Sequence, residues 1–132
     1  MKIVEVKTTV RNQMIDITNK VQDCVAKSKA KNGVVYVFVP HTTAGITICE
    51  NADKDVKTDV MFALKRAVPN SGFLHYEGNS DAHTKAQLTG FSITIIIDNS
   101  KMMLGTWQSI YFCEFDGPRT RSVYIKVINI ED

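Results

Sequence analysis

The chain has 132 residues, a length typical of one compact domain, so we expect a single domain over residues 1–132. Hydrophobic residues make up 44% of it and charged residues 23%, which excludes an intrinsically disordered chain. Its 16 basic and 14 acidic residues leave a formal net charge of +2, too small an excess to indicate binding to nucleic acid. The longest apolar run, residues 34–39, is far shorter than the roughly 20 residues of a membrane-spanning helix, so no membrane partner is predicted.

The N-terminal residues and the cysteines predict a cytoplasmic protein. Residues 1–7 pass directly into an alternating apolar and charged pattern, without the apolar segment and small-residue cleavage site of a signal peptide. The three cysteines, Cys24, Cys49 and Cys113, are odd in number, far apart and without CxxC spacing. They therefore indicate neither a disulfide framework nor a zinc knuckle.

In the first half of the chain, apolar residues alternate over residues 2–11 and predict a strand with one solvated face. Thr18 is placed to cap a helix over about residues 18–31, whose apolar residues recur at three- and four-residue intervals until Asn32-Gly33. Residues 34–39 have the β-branched and aromatic content of a buried strand that Pro40 ends, and residues 46–49 predict a second, shorter strand.

In the second half, Asn51 is placed to cap a helix whose first turn carries two aspartates and which ends over residues 68–72. Residues 69–84 are predicted to be one long irregular stretch, the kind of ordered loop that is often functional. Strands follow over residues 91–97, 102–104, 106–115 and 121–130, in an antiparallel meander. The predicted class is α+β, a mostly antiparallel β-sandwich or barrel-like sheet with two helices on the outside.

The three histidines, His41, His75 and His83, lie in or beside irregular segments in the middle of the chain. Three imidazoles can bind zinc and leave a fourth position open for water, as in a catalytic site. Because imidazole titrates at about pH 6.5, the same side chains can instead transfer protons. A third interpretation is that they are exposed loop residues with no shared role.

Two arginines close to the last predicted turn are candidates for binding an anion. Residues two apart on a strand point to the same face, so Arg119 and Arg121 would project side by side and bind a phosphate or carboxylate. The alternative is two solvated arginines beside a turn. The segment 41–45, HTTAG, would add hydroxyl and backbone N–H donors, although it is not a Walker loop.

The remaining candidates are weaker when taken singly. Carboxylates are available as bases or ligands, but their spacing favours no particular pair; they are Glu50, Asp53, Asp59, Glu77, Asp81 and Glu114. Cys49 is a nucleophile if His41 approaches it, and otherwise a buried structural thiol. Trp107 is predicted to pack in the core, which would turn Gln108 to the other face of its strand, where a buried amide needs hydrogen-bond partners.

Several blocks of the sequence, in the same order from His41 to Ile128, resemble the YjbQ-like family, whose uncharacterised members are often labelled secondary thiamine-phosphate synthase. The blocks are HTTA at 41–44, ENAD at 50–53 with Asp59, AHTK at 82–85 with Gly90, LGTWQ at 104–108 and EFDGPRTR at 114–121. The GTWQ and EFDGPRxR blocks together are highly specific.

The resemblance implies a β-sandwich that assembles as a homotrimer, with a polar pocket suited to an anion or a metal. Carried onto this sequence, it gives catalytic roles to His41, Glu50, Asp59 and Lys85, and substrate binding to Thr42, Thr43, Asn51, Gln108, Arg119 and Arg121. It makes His41, His75 and His83 the metal ligands.

The activity label implies the joining of an aminopyrimidine diphosphate to a thiazole phosphate, with release of pyrophosphate. Lys85 and the two arginines would bind phosphates, and a divalent ion, zinc or magnesium, would stabilise the leaving group. The alternatives are a metal-dependent phosphate-ester hydrolase with Glu50 or Asp59 as base, a protein that binds an anionic metabolite without turning it over, and a polar cluster that is a subunit interface.

One strand gives independent support for a partner subunit. Residues 106–115 carry apolar side chains on both faces, with Trp107, Tyr111 and Phe115 opposite Ile110 and Phe112. In so short a chain, a strand that is buried on both faces suggests that a second copy of the chain covers one of these faces.

Overall fold

A computed structural model describes residues 1–75 and 77–130 of the chain. Its α+β class is the predicted one. The strands are β1 (Lys2–Lys7), β2 (Gln13–Asp16), β3 (Gly33–Phe38), β4 (Ala44–Glu50), β5 (Ser92–Asp98), β6 (Lys101–Met102), β7 (Gln108–Glu114) and β8 (Thr120–Asn129). The helices are α1 (Thr18–Ser28), α2 (Lys54–Ala67) and α3 (Ser80–Thr89), and none of these described helices is long and apolar enough to cross a bilayer.

The strands form two antiparallel sheets, which confirms the predicted sandwich. The first has five strands in the order β1-β8-β3-β5-β6, and the second has three in the order β2-β7-β4. The main core lies where the inner faces meet, with Val35 and Val37 of β3 packed in one cluster with Ile110 and Phe112 of β7. Because strand side chains alternate, the residues between these positions point to the opposite faces of their sheets.

The second face of the three-stranded sheet is covered by helices of the same chain. Tyr111 and Cys113 pack there in a separate cluster with Ala82 and Ala86 of α3, and α2 adds Leu64 and its neighbours. β7 is therefore buried on both faces without help from another copy. The apolar residues on both faces of this strand therefore give no support to a partner subunit, and the predicted homotrimer stays a prediction.

The strand β7 is also shorter than predicted. A turn closed by Gln108 N–H and the Gly105 carbonyl at 3.0 Å places Thr106 and Trp107 before β7 rather than within it. Trp107 is 61% exposed. The prediction that it packs in the core was wrong, because it lies in the connecting turn and follows no strand alternation.

The N-terminal strand ends four residues earlier than predicted. Thr8 N–H donates to the Arg119 carbonyl at 2.9 Å, and residues 8–12 then bend away into β2, a strand that the sequence did not reveal.

Both predicted helix caps were also displaced. Thr18 is the first residue of α1 rather than its cap, and Asp53, not Asn51, caps α2 by accepting from Asp55 N–H at 2.9 Å.

The third helix, α3, replaces part of the predicted irregular stretch. Its buried residues are Asp81, Ala82, Lys85 and Ala86. Two alanines and two charged residues make no apolar stripe, so hydrophobic periodicity cannot detect this helix. The predicted count of two helices was wrong for the same reason.

Candidate functional site

Six of the predicted site residues fall into two groups, at opposite ends of the three-stranded sheet. β4 pairs with β7 so that Ala44 is opposite Glu114 and Glu50 is opposite Gln108. Six residues of strand separate these ends by about 20 Å. His41, Thr43 and Arg121 are at one end, and Glu50, Asn51 and Gln108 are at the other. One copy of the chain does not bring the two groups into a single pocket.

At the first end, Glu114 and Arg121 form a buried ion pair, only 0% and 3% exposed. Arg121 Nε donates to Glu114 Oε1 at 2.8 Å, and Arg121 Nη2 is hydrogen-bonded to Glu114 Oε2. Glu114 also accepts from the hydroxyl of Thr8 at 2.8 Å and from the backbone N–H of Asp116 at 3.1 Å. Burial raises the pKa of this carboxyl, but the hydrogen bonds from Arg121 and its neighbours outweigh burial, so the pKa of Glu114 lies below its ordinary value.

The two arginines do not form the expected fork. Arg121 is committed to Glu114 and also donates to the Thr43 hydroxyl at 2.8 Å. Arg119 precedes β8, so the two-residue strand spacing does not apply to it, and it donates to the Asp116 carboxylate at 3.0 Å and to the Asp116 carbonyl at 2.9 Å. Arg121 and Thr43 thus join the strands at this end, while Arg119 is half-exposed on the surface.

His41 sits beside this ion pair in a neutral form. Its Nε2 accepts the backbone N–H of Ser122 at 3.0 Å, which leaves the proton on Nδ1. Burial lowers the pKa of His41, and the positive charge of Arg121 lowers it further. The ring and the exposed Thr42 line a shallow cavity of about 320 Å³ with Phe38, Val39, Pro40 and Phe91.

Of the other two histidines, His83 is in the first turn of α3 and His75 is in the loop that precedes this helix. The rings of His75 and His83 meet edge to face with centroids 5.9 Å apart, and His75 Nδ1 is 3.1 Å from the Ser80 hydroxyl. Among residues 1–75 and 77–130, no group of three His, Cys, Asp or Glu side chains is placed to hold a metal ion. The structure therefore brings two of the three predicted zinc ligands together, and these residues do not fit a metal site within one chain.

At the far end of the sheet, Asn51 and Gln108 form hydrogen bonds that hold the residues around the start of β7 in place. Asn51 donates to the Ser109 hydroxyl at 3.0 Å, and Gln108 Oε1 accepts the Gly105 backbone N–H at 2.8 Å. Glu50 Oε2 is buried and has no hydrogen-bond partner among the described residues. Cys49 packs into the helix-covered cluster at this end, far from His41, which excludes its activation by that histidine within one chain. Asp59 lies on the exposed side of α2.

Lys85 is the predicted residue with the most distinctive surroundings. Its side chain is 4% exposed, and its ammonium lies 3.2 Å from Asp81 Oδ2, one helical turn earlier on α3. Asp81 is 1% exposed and accepts both guanidinium nitrogens of Arg11 at 3.0 Å. Burial raises the pKa of Asp81, but the hydrogen bonds from Arg11 and Lys85 outweigh burial, and the pKa lies below its ordinary value.

Two adjacent cavities open beside Lys85, between α2, α3 and residues 8–12. One, of about 260 Å³, is lined by Met61, Phe62, Leu64 and Phe115, and the other, of about 230 Å³, by Arg11, Asp81, Asn70, Val68 and Pro69. Both share Asn12, Lys65 and Lys85 as lining residues. We call this pair of cavities the α2–α3 cleft. Three cationic side chains and one carboxylate line it, so its potential favours an anion.

Sequence reasoning found Lys85 but missed Arg11, Asn12 and Lys65. For Asp81 and Lys85 the sequence did carry a signal, because a separation of four residues is the spacing of an ion pair on one helix. Arg11 was assigned to the end of a strand. Only the fold reveals that it reaches Asp81, 70 residues later in the chain.

Comparison with known proteins places the whole chain in one family, because residues 2–130 match the family described as "UPF0047 protein YjbQ-like". The chain belongs to this family. It is 52% identical to a UPF0047 protein of Methanocaldococcus jannaschii over 125 residues, which covers 94% of this chain and 91% of the relative. It is 48% identical to the UPF0047 protein YugU of Bacillus subtilis over 130 residues, covering 97% and 98%.

Solved structures of YjbQ-like proteins have the same fold. The chain is similar to a crystal structure of an uncharacterised family member from Clostridium acetobutylicum, with a TM-score of 0.95, 53% identity, and coverage of 97% of this chain and 100% of that one. A second match, from Sulfolobus solfataricus, has a TM-score of 0.93 at 29% identity, covers 98% and 96%, and is described as a protein of unknown function. The family resemblance predicted from the sequence is thus confirmed.

Proposed function

We propose that this YjbQ-like protein binds a small anionic metabolite that carries a phosphate group, in the α2–α3 cleft. The observation that carries the proposal is the burial of the Lys85 side chain, 4% exposed, on the wall shared by the two cavities. A buried ammonium is costly unless its charge and its donors are satisfied. The described contacts of Nζ, to Asp81 and to Asn12 Oδ1 at 3.4 Å, use two of its three donors.

The charges around Lys85 support an anion rather than a cation. Asp81 is already engaged by both Arg11 and Lys85, so its carboxylate offers little to a bound metal ion. Lys65 adds a further exposed cation to the same lining. An anion that reaches Lys85 would therefore meet a surplus of positive charge and gain charge-assisted hydrogen bonds.

The proposal is tested by calorimetric titration with inorganic phosphate and with pyrophosphate. Lys65→Gln removes one cleft cation at an exposed position, and Lys126→Gln removes an exposed cation on the five-stranded sheet as the matched control. We expect Lys65→Gln to weaken binding by about tenfold, the value of one charge-assisted hydrogen bond, and the control to leave it unchanged. Equal affinity in both variants, or no binding by the natural chain, would refute the site.

The activity that the family label implies, thiamine-phosphate synthesis, stays a prediction, and so does the alternative of phosphate-ester hydrolysis. Thiamine-phosphate synthesis and phosphate-ester hydrolysis both require a phosphorylated substrate, which the proposed site would bind. Incubation with an aminopyrimidine diphosphate, a thiazole phosphate and magnesium or zinc, followed by chromatography for thiamine phosphate, distinguishes the transferase from a protein that binds without turnover. The homotrimer, the cytoplasmic location and the divalent ion also stay predictions.

A further inference from the structure

The helix α2 is the least buried of the three described helices. None of its 14 residues is buried, whereas α1 and α3 each carry residues that are fully buried. Its apolar residues Val56, Val60, Met61 and Leu64 are only half-buried. Met61 and Leu64 line the larger cavity of the α2–α3 cleft, so they face open space there instead of neighbouring atoms. An element with so few buried apolar contacts is one that moves at low cost in free energy.

This helix is held at its two ends and only loosely along its length. Before it, Asn51 N–H donates to the carbonyl that precedes β7 at 2.9 Å, and after it Asn70 Nδ2 donates to the Gly78 carbonyl at 3.1 Å. In the first turn, the Lys57 ammonium lies 5.9 Å from the ring centre of Tyr111. Within residues 1–75 and 77–130, no hydrogen bond or ion pair joins an α2 side chain to another element. The later turns of α2 can therefore tilt about these anchors.

Two cations of different helices line the same open space. Lys65, in the last turn of α2, is exposed, and Lys85 of α3 is 4% exposed; both line both cavities of the cleft. Lys85 is fixed by its bond to Asp81, and that carboxylate is shared with Arg11, so it does not neutralise all the positive charge. Like charges repel one another, and this repulsion opposes any approach of Lys65 to Lys85.

We infer that α2 is a lid of the cleft, held away from α3 by repulsion between Lys65 and Lys85 and closed by an anion that binds between them. The inference rests on the proposed phosphate site and describes how that site opens and closes. An anion contacts both cations only in the closed arrangement, and this difference in contacts is what shifts the helix toward α3. Closure also removes apolar surface of Met61 and Leu64 from water, which favours it further.

Hydrogen–deuterium exchange tests the lid, read by mass spectrometry on peptides of the three helices with and without saturating pyrophosphate. Calorimetry reports the binding of pyrophosphate separately. Without an anion, we expect the amides of α2 to exchange faster than those of α1 and α3. Pyrophosphate should slow exchange in α2 by about tenfold and have a much smaller effect on α1, which does not line the cleft and is the internal control.

The failure of the lid and the failure of the phosphate site give different results. Binding in the calorimeter with unchanged exchange in α2, or with equal slowing in α1, would overturn the lid and leave the site intact. Slow exchange in α2 without an anion would also overturn the lid, because the helix would then already be covered, for example by a second copy of the chain. Absence of binding would overturn both proposals.

Lys65→Met and Arg66→Met form a matched pair of variants. Both residues are exposed cations in the last turn of α2, so each substitution removes the same favourable interaction with the helix dipole and by itself speeds exchange slightly. Of the two, Lys65 alone lines the cleft. We expect Lys65→Met to slow exchange in α2 several-fold without any anion, because the repulsion is gone, and Arg66→Met to keep the response to pyrophosphate. Faster exchange in both variants would give Lys65 a merely structural role and contradict the lid.

Discussion

The residues with the strongest contacts in this protein are structural. Arg121 and Glu114 satisfy one another in the interior, with Thr8 and Thr43 completing their hydrogen bonds. The sequence could not separate this role from phosphate binding, because an arginine in a strand suits either an internal carboxylate or a ligand. The deciding fact is that β8 lies beside β1 with Val6 opposite Arg121, which turns the guanidinium into the sandwich.

Removing one member of this pair should destabilise the fold strongly. Arg121→Met leaves the Glu114 carboxylate buried without its cation, and we expect the free energy of unfolding to fall by about 3–5 kcal/mol. Urea denaturation measures it. The control is Arg119→Met, whose half-exposed pair with Asp116 should contribute only about 0–1 kcal/mol. Equal effects of the two substitutions would show that the buried pair has no special role.

As pH falls, protonation of His41 should lower the free energy of unfolding at a higher pH than protonation of the buried carboxylates does. The pKa of His41 in the folded chain lies below its ordinary value of 6.5, so the unfolded chain binds the proton first and stability falls as pH drops below about 6.5. Glu114 and Asp81 have pKa values below their ordinary 4.5 and 3.8. Their contribution to the free energy of unfolding is therefore complete at neutral pH and is lost only at more acidic pH. Chemical denaturation between pH 8 and 3 should show both phases. His41→Gln should remove the upper phase alone, and its persistence in that variant would assign it to another group.

At the scale of elements, α3 decides where the cleft lies. Its inward face carries Asp81 and Lys85 among alanines, and its last turn crosses β4 closely. The strands other than β2, and the first two helices, were predictable because their apolar residues repeat at regular intervals. α3 was not, because a helix that buries charges against partners distant in sequence has no such repeat. The cleft was missed with it.

The close crossing of α3 and β4 depends on Gly45. A Cβ atom at this position would lie 2.6 Å from the carbonyl oxygen of Gly90, and backbone cannot move aside as a side chain does. We expect Gly45→Ala to lower the free energy of unfolding by about 1–3 kcal/mol and to weaken phosphate binding by displacing α3. Gly105→Ala is the control, since its nearest neighbour is the flexible end of Gln108 at 3.2 Å. Thermal unfolding and phosphate titration of both variants test this, and an unaffected Gly45→Ala would mean that α3 tolerates the shift.

At the scale of the whole molecule, helices of the same chain cover β7, so this strand cannot be the contact surface of a trimer. Another surface must supply the contact if the chain forms one. The outer face of the five-stranded sheet exposes apolar side chains on several of its strands, including Ile3 on β1, Phe38 on β3 and Ile96 on β5. Patches of this kind often mark contacts between proteins. The two groups of site residues, about 20 Å apart along β4, would share a pocket only if two copies contributed to it.

The predicted trimer is tested by light scattering at micromolar concentration. We expect a mass three times that of the 14.8 kDa chain, and a lower mass for Ile96→Lys, which places a charge on the apolar outer face. Leu88→Lys, equally exposed but on α3, should not change the mass. A monomer for the natural chain would end the trimer prediction, and a trimer that survives Ile96→Lys would place the interface elsewhere.

The order of strands in the larger sheet also constrains when the protein can fold. β8 is synthesised after every other strand, yet it lies between β1 and β3 and pairs with both. While the ribosome is still translating the preceding residues, β1 and β3 have no shared neighbour and their backbone groups are open to other chains. A nascent chain arrested before Thr120 would therefore expose two unpaired edges, which is the kind of surface that chaperones bind.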